Sequence, residues 1–261
     1  MVYNYHTHTY LCNHAKGTPE EYVKRAIEGG IRYMGFSDHA SFVFPDGYES
    51  GFRVPLSKLE NYVSEISVLR EKYRNQIDIK IGFEMEYYPA HFEQMLKIAN
   101  DHGIEYLILG QHFLYEEHPL GKGSFNEHTD IQDLKHYIHC LSEGIKSGVY
   151  TYVAHPDVLG FSCDTDAYRN EMRTVCILSR EYNVPLEINF LGIRDNRLYP
   201  NEMFWEIAGE EKSPVTFGFD AHDVSSAFDV QSLDKANELV KKYNLNYIGK
   251  PRLVLIQDIL K

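Results

Sequence analysis

Short apolar runs alternate with longer amphipathic stretches along the whole chain. Seven runs are rich in β-branched or aromatic residues, or nearly continuously apolar, and read as buried strands: Tyr3–His8, Tyr33–Asp38, Ile77–Tyr87, Tyr106–His112, Tyr150–His155, Pro185–Asn189 and Val215–Asp220. Between them the spacing lengthens. Leu59, Tyr62, Val63, Ile66, Leu69 and Tyr73 recur at helical steps and make one apolar face, and Leu134, Tyr137, Ile138, Leu141 and Ile145 do the same. Thr18-Pro19-Glu20-Glu21 has the form of a helix start, an N-cap followed by proline at the first position. Gly29-Gly30, Gly103 and Gly148 stand where helices stop.

Strand and helix in alternation predict a parallel sheet covered by helices. Seven such units suit a closed barrel better than an open sheet, so the expected fold class is α/β, a TIM-like barrel. One domain spanning residues 1–261 is the expectation, since no repeat, low-complexity tract or composition break divides the chain. Pro251–Ile256 is the candidate for an additional last strand. The long loops Ser41–Pro55 and Leu114–Thr129 follow strands and are expected to serve the active face.

The histidines change the picture. The chain has 13, and several fall at the carboxyl ends of candidate strands: His6-Thr7-His8, Asp38-His39, Gln111-His112, His155-Pro156-Asp157 and Asp220-Ala221-His222. Glu84 occupies the end of the third strand, in Gly82-Phe83-Glu84-Met85-Glu86. In a barrel these ends meet on one face. Residues two apart on a strand point to the same side, so His6 and His8 can reach one ion, as can Asp220 and His222. By the same rule Glu86 competes with Glu84 for a bridging position. Imidazole and carboxylate donors suit zinc, iron and manganese, and the surplus over one ion implies two or three divalent cations. Asp38 reads as a partner that orients an imidazole. Cys12 reads as a packed thiol.

His6-Thr7-His8-Thr9-Tyr10-Leu11-Cys12-Asn13-His14-Ala15 and Gly35-Phe36-Ser37-Asp38-His39-Ala40 resemble the histidinol-phosphate phosphatase branch of the PHP superfamily, as do Phe83-Glu84-Met85-Glu86-Tyr87, Glu187-Ile188-Asn189 with Arg194, and Tyr199-Pro200. The resemblance covers nearly the full length. It implies a distorted (β/α)7 barrel with a three-ion site at the C-terminal ends of the strands. His6, His8, Glu84 and Asp220 would hold the first ion, Glu84 with His112 and His155 the second, and His14, His39 and His222 the third. It also implies a phosphomonoesterase acting on L-histidinol phosphate, in histidine biosynthesis. Close divalent ions lower the pKa of a shared water, giving a hydroxide at neutral pH, and clamp the phosphoryl oxygens.

Glu84 and Asp220 are thus the expected catalytic carboxylates. Arg194, with Arg197 as second candidate, is the expected phosphate ligand, because a guanidinium binds two oxygens at once. Glu86 or Asp157 could meet the substrate amine. Rival readings keep the metals and change the substrate to another phosphomonoester, a short oligonucleotide or a phosphotyrosyl protein, or make the chain an interaction module.

Charge narrows the partners. Lys plus Arg total 26 and Asp plus Glu 38, for a net −12. An acidic balance does not favour nucleic acid, which is gripped through Lys and Arg. A small phosphate ester remains compatible, because local charge in a cleft decides that. Cys12, Cys140, Cys163 and Cys176 form no C-x-x-C pair and read as reduced cytosolic thiols. The start, Met1–His6, lacks the basic head and apolar run of a secretion signal, and no stretch reaches the roughly 18 apolar residues of a membrane span. The remaining six histidines read as having no part in the site: His91, His102, His136 and His139 belong to helices, and His118 and His128 to the long loop after the fourth strand, where lining the cleft is the alternative reading.

Overall fold

The computed structural model describes residues 1–119 and 121–260; Leu120, within the predicted Leu114–Thr129 loop, and Lys261 lie outside the described residues. In chain order the strands are β1 (Tyr3–Asn4), β2 (Tyr33–His39), β3 (Asp78–Met85), β4 (Tyr106–Leu109), β5 (Glu127–His128), β6 (Tyr150–Val153), β7 (Gly160–Phe161), β8 (Leu186–Asn189), β9 (Pro214–Gly218) and β10 (Asn246–Tyr247). The helices are α1 (Pro19–Glu28), α2 (Leu59–Tyr73), α3 (Phe92–Asp101), α4 (Ile131–Ser147), α5 (Thr165–Tyr182), α6 (Phe190–Arg194), α7 (Glu202–Glu211), α8 (Val230–Lys242) and α9 (Ile256–Ile259).

All seven predicted strands are present in one parallel sheet, in the order β1-β2-β3-β4-β6-β8-β9, with β10 added beside β9. The sheet curls until the chain just beyond β1 meets the chain just beyond β9. Beyond β1, the His8 amide donates to the Ala221 carbonyl at 3.0 Å and the Ala221 amide to the His6 carbonyl at 3.3 Å. At the opposite end β10 stands beside β9, and the Tyr3 hydroxyl pairs with Thr216 at 2.9 Å and with Tyr247 at 3.2 Å. This is a TIM-like barrel, distorted where β10 occupies one end of the seam. Pro251–Ile256 is not a strand; its Leu255 makes only an isolated antiparallel bridge to Tyr106.

The predicted helix signals operate as read. Thr18 and Glu21 form a capping box at the start of α1. Gly148 closes α4 at φ 72°, a conformation that glycine adopts without steric cost. The α2 and α4 stripes are buried against the sheet in the main core, with Val63 partly so. Inside the barrel, Tyr3, Tyr5, Tyr106, Ile108, Tyr152 and Ala154 form a second, smaller cluster. Tyr106 lies over Gly35 and Gly82, where an added Cβ would come within 2.0 and 2.4 Å of its ring or hydroxyl. These tyrosines plug the amino end of the barrel. The carboxyl end is left for polar side chains.

Candidate metal centre

Most of the predicted strands run past their hydrogen-bonded portions, and their carboxyl ends carry the chemistry; His39 and Glu84 are the exceptions, paired with each other at the end of the β2–β3 ladder. β1 stops at Asn4 because the Asn4 side chain takes over the ladder, accepting from the His6 amide at 3.2 Å and the Phe219 amide at 3.0 Å. His155 and Asp220 sit at φ 32° and 46°, in the left-handed region that L side chains rarely adopt. Non-glycine residues persist there when their surroundings hold them, which is common at functional sites.

The structure brings all nine expected donors together. Glu84 is fully buried at their centre. One carboxylate oxygen, Oε1, lies 2.8 Å from His155 Nε2 and 3.3 Å from His112 Nε2. The other, Oε2, lies 3.3 Å from His6 Nε2, 3.4 Å from His8 Nε2 and 3.2 Å from His39 Nδ1. Asp220 Oδ1 stands 3.5 Å from His6 Nε2 and 3.2 Å from each of His8 Nε2 and His222 Nδ1. His14 Nε2 faces His222 Nε2 at 3.0 Å. Among the described residues, five groups of donor atoms each gather within 4.8 Å: His6, His8 and Asp220; Glu84, His112 and His155; His14, His39 and His222; His8, His39 and Glu84; and His8 and His222 with the Cys12 thiol.

Four of these buried atoms have no hydrogen-bond partner: His6 Nε2, His8 Nε2, His39 Nδ1 and Asp220 Oδ1. A buried polar atom left unsatisfied costs about 1–3 kcal/mol. Several aimed at one point fit a cation that would satisfy them all. The donor set, imidazole nitrogen and carboxylate oxygen, is that of divalent zinc, iron or manganese.

Electrostatics agrees. Burial opposes ionisation of Glu84 and Asp220, but the surrounding imidazoles outweigh it and hold both carboxyls well below the usual range. Burial pushes His39 well down and, helped by His222 and His8, takes His14 to about 4. These two stay neutral, as a ligand must. His6 and His8 are pushed up despite burial, because Glu187, Asp220, Glu84 and Asp38 surround them. A proton and a metal ion compete for those two rings.

Partners behind the donors orient them. The His14 Nδ1–H donates to the Cys12 carbonyl at 2.7 Å, which turns Nε2 inward. The His112 Nδ1–H donates to Glu86 at 3.1 Å. Asp38 accepts from the Thr9 amide at 2.7 Å and lies 3.5 Å from His8 Nδ1, the orienting place expected for it. Sequence reasoning missed Glu187, inside β8 and paired with Thr216 of β9. It accepts from His6 Nδ1 at 2.8 Å and from the His155 amide at 3.2 Å. Neighbouring Asn189 donates to Glu187 at 2.8 Å and to Asp220 Oδ2 at 3.1 Å. The available signal was the two-residue step on a strand end, Glu187-Ile188-Asn189. Room for the carboxylates comes from glycines: a Cβ on Gly110 would fall 2.1 Å from Glu84 Oε1, and one on Gly218 1.7 Å from Glu187 Oε1.

The centre opens into a cleft of about 440 Å³ that Phe52, Arg194, Arg197 and Tyr199 also line. Arg194 spends its guanidinium on the protein: Nη1 donates to the Phe219 carbonyl at 3.0 Å and Asp229 at 3.2 Å, Nη2 to the Asp220 carbonyl at 3.1 Å. It braces the turn that presents Asp220. Arg197 is freer, with Nη2 on Asp195 at 3.1 Å and Nη1 on the Tyr199 hydroxyl at 3.4 Å. Glu86 and Asp157 do not face a substrate. Glu86 is paired with Arg53 at 2.7 and 2.9 Å, and Asp157 accepts from the Asn201 amide and from Trp205 at 2.6 and 2.9 Å. His118 and His128 do not line the cleft; they pair with Asp46 and Asp133.

A parallel β/α barrel with a histidine–carboxylate cluster at its strand tips belongs among the metal-dependent hydrolases. Comparison with known proteins narrows that class: residues 4–190 match the PHP domain, and the chain belongs to the PHP domain family. It is similar to the histidinol-phosphatase of Bacillus subtilis (strain 168), 27% identical over 258 residues that cover 86% of this chain and 96% of that one. Among solved structures it is similar to histidinol phosphate phosphatase from Lactococcus lactis, determined with zinc, L-histidinol and phosphate. The TM-score is 0.71, at 22% identity over 94% of each chain, which establishes the shared fold. No helix among the described residues is long and apolar enough to cross a membrane.

Proposed function

We propose that this chain hydrolyses L-histidinol phosphate to L-histidinol and phosphate at a three-ion centre. Glu84 anchors the reading: each of its two buried oxygens meets a different set of imidazoles, as a bridging carboxylate must. His6, His8, Glu84 and Asp220 would hold one ion, Glu84, His112 and His155 a second, and His14, His39 and His222 a third. Divalent ions there supply Lewis acidity and an activated water. The phosphatase relative from Bacillus subtilis, matched over most of both chains, supports the substrate.

The protein's own groups do the rest. Asp220 and Glu84, held ionised, keep the histidine cluster facing the cleft. Arg197, with its guanidinium half-exposed at the cleft, takes the phosphate; Arg194 fixes the Asp220 turn from behind. The imidazole and amine of the substrate meet the open side of the cleft, where Phe52 offers a ring and Asp195 and Asp223 offer carboxylates.

Phosphate release from L-histidinol phosphate, measured beside p-nitrophenyl phosphate and joined to metal analysis of the purified protein, tests this. Preference for histidinol phosphate with three ions per chain is the expected result. Equal turnover of both esters would remove the narrow substrate assignment.

A further inference from the structure

A phosphomonoester with an alkyl leaving group must protonate that group as it departs, and the metal ligands are poorly suited to donate the proton. Among the cleft-lining residues that are not expected ligands, Arg194 and Arg197 are permanently charged and do not give up protons. Asp195 is bound to Arg197 and side-chain exposed. Asp223 caps the turn that follows it, accepting from the Ser226 amide at 3.0 Å. Lys16 is exposed at the rim, and Tyr199 remains.

Tyr199 occupies a built seat. It is 4% exposed yet borders the cleft. Its ring packs on Gly192, where a Cβ would come 2.3 Å from Tyr199 Cδ2, and lies 5.8 Å from the His155 ring between centroids. The Arg197 amide is pinned to the Gly192 carbonyl at 3.0 Å, which fixes the segment leading to Tyr199. The hydroxyl oxygen accepts from Arg197 Nη1 at 3.4 Å. Because it accepts there, its own O–H proton is uncommitted and can be directed into the cleft.

We propose that the Tyr199 hydroxyl, held by Arg197, is the catalytic donor of the proton to the leaving oxygen of the phosphate ester. This rests on the phosphomonoesterase reading above. A water oxygen forms the new bond to phosphorus, the ester P–O bond breaks, and its electron pair goes to the leaving oxygen, which takes the Tyr199 proton. Arg197 stands beside the resulting phenolate, and a proton from the attacking water restores the phenol. Arg197 thereby contacts both the phosphoryl group and its departing side.

Leaving-group dependence tests the assignment. Tyr199→Phe keeps the ring and its packing, so metal content and melting temperature are expected to match the wild type. A panel of alkyl and aryl phosphomonoesters is assayed, with L-histidinol phosphate and p-nitrophenyl phosphate among them. Turnover of alkyl esters should fall about 100-fold, the usual scale of general-acid assistance. Turnover of p-nitrophenyl phosphate should fall far less, because nitrophenolate leaves without a proton. Arg197→Met, which removes a phosphate contact common to all esters as well as the support of the Tyr199 hydroxyl, should lower both classes, p-nitrophenyl phosphate included, with alkyl esters losing more. Equal losses on alkyl and aryl esters in Tyr199→Phe, or a selective alkyl loss in Lys16→Met instead, would overturn the proposal. A wild-type protein that turns over other alkyl phosphates but not histidinol phosphate would overturn the substrate reading alone, and the remaining esters would still decide Tyr199.

Discussion

His6 Nδ1 lies 2.8 Å from Glu187 Oε1, and both side chains are completely buried. The contact determines which nitrogen of His6 is left for the metal centre: with Nδ1–H donated backward, Nε2 points at Glu84 and Asp220. Glu187 also receives the His155 amide, so one carboxylate aligns donors from two strand tips.

Replacing Glu187 should therefore loosen the ions without unfolding the barrel. Partners behind metal-bound histidines are worth about 10–100-fold in affinity. Glu187→Gln is expected to lose metal to a competing chelator at that much lower chelator concentration, with circular dichroism unchanged. Glu84→Ala and His112→Ala should go further and abolish turnover. An unaltered chelation curve in Glu187→Gln would show that His6 keeps its orientation by packing alone.

Gly110 makes a separate case, because its role is space. Its backbone is outside the left-handed region, so alanine meets no conformational penalty there, but the new Cβ would lie 2.1 Å from Glu84 Oε1 and 2.6 Å from Cδ. Glu84 has to move, and Oε1 is the oxygen that faces His112 and His155. Gly110→Ala should cost about 1–3 kcal/mol of stability, as overpacking does, and lower the bound metal by one ion per chain. Full metal content in that variant would mean that the carboxylate has room the structure does not show.

The convergence of donors at the strand ends was legible in the sequence because the carboxyl ends of barrel strands meet on one face; His14, in the loop after β1, joined the set only through the resemblance to the PHP family. His6 and His8 share a side across Thr7, which still bridges Ala221 in parallel; Asp220 lies in the left-handed region, so its approach to His222 is set by the turn after β9, which periodicity does not foretell. What surrounds them was not legible. Glu187 lies on the one predicted strand whose end was assigned no metal donor, and its value appears only once β8 stands next to β6 and β9. Arg194 looked like a phosphate ligand because a free guanidinium and one committed to carbonyls read alike in sequence. β10 is two residues long, too short for any periodicity, whereas the apolar run at Pro251–Ile256 forms no strand.

Arg53 could not be anticipated either, since it comes from the long loop after β2. It is 2% exposed and inserted between Glu86, which it meets with two bonds, and Glu117 at 2.9 Å. Glu86 in turn holds His112. Removing the cation strands two buried carboxylates, and breaking a buried pair costs about 3–5 kcal/mol. Arg53→Met should lower stability by that order in urea unfolding. The double variant Arg53→Met with Glu86→Gln should recover part of it, because it removes one of the stranded charges. Strictly additive losses in the double variant would exclude the pairing as the cause.

Metal should reverse the pH dependence of stability. Burial opposes the charge on His112, but Glu84 and Glu86 outweigh it and push the group up to about 9. Without metal, a folded pKa raised above the unfolded value near 6.5 contributes stability that is fully present below about pH 6.5 and is lost as pH rises through about 9. Complete loss is worth about 3 kcal/mol at roughly 1.4 kcal/mol per pH unit. His6 and His8 shift in the same direction. Below pH 6.5 the opposite holds for His14, whose value near 4 makes protonation favour the unfolded chain. The chelated protein should therefore melt at its highest temperature near pH 6.5 and lose stability toward pH 9. Bound ions need neutral rings, so their contribution grows over the same interval. Thermal unfolding in chelator and in saturating manganese should give slopes of opposite sign between pH 6.5 and 9. Parallel slopes would show that the imidazoles and the ions do not compete for the same nitrogens.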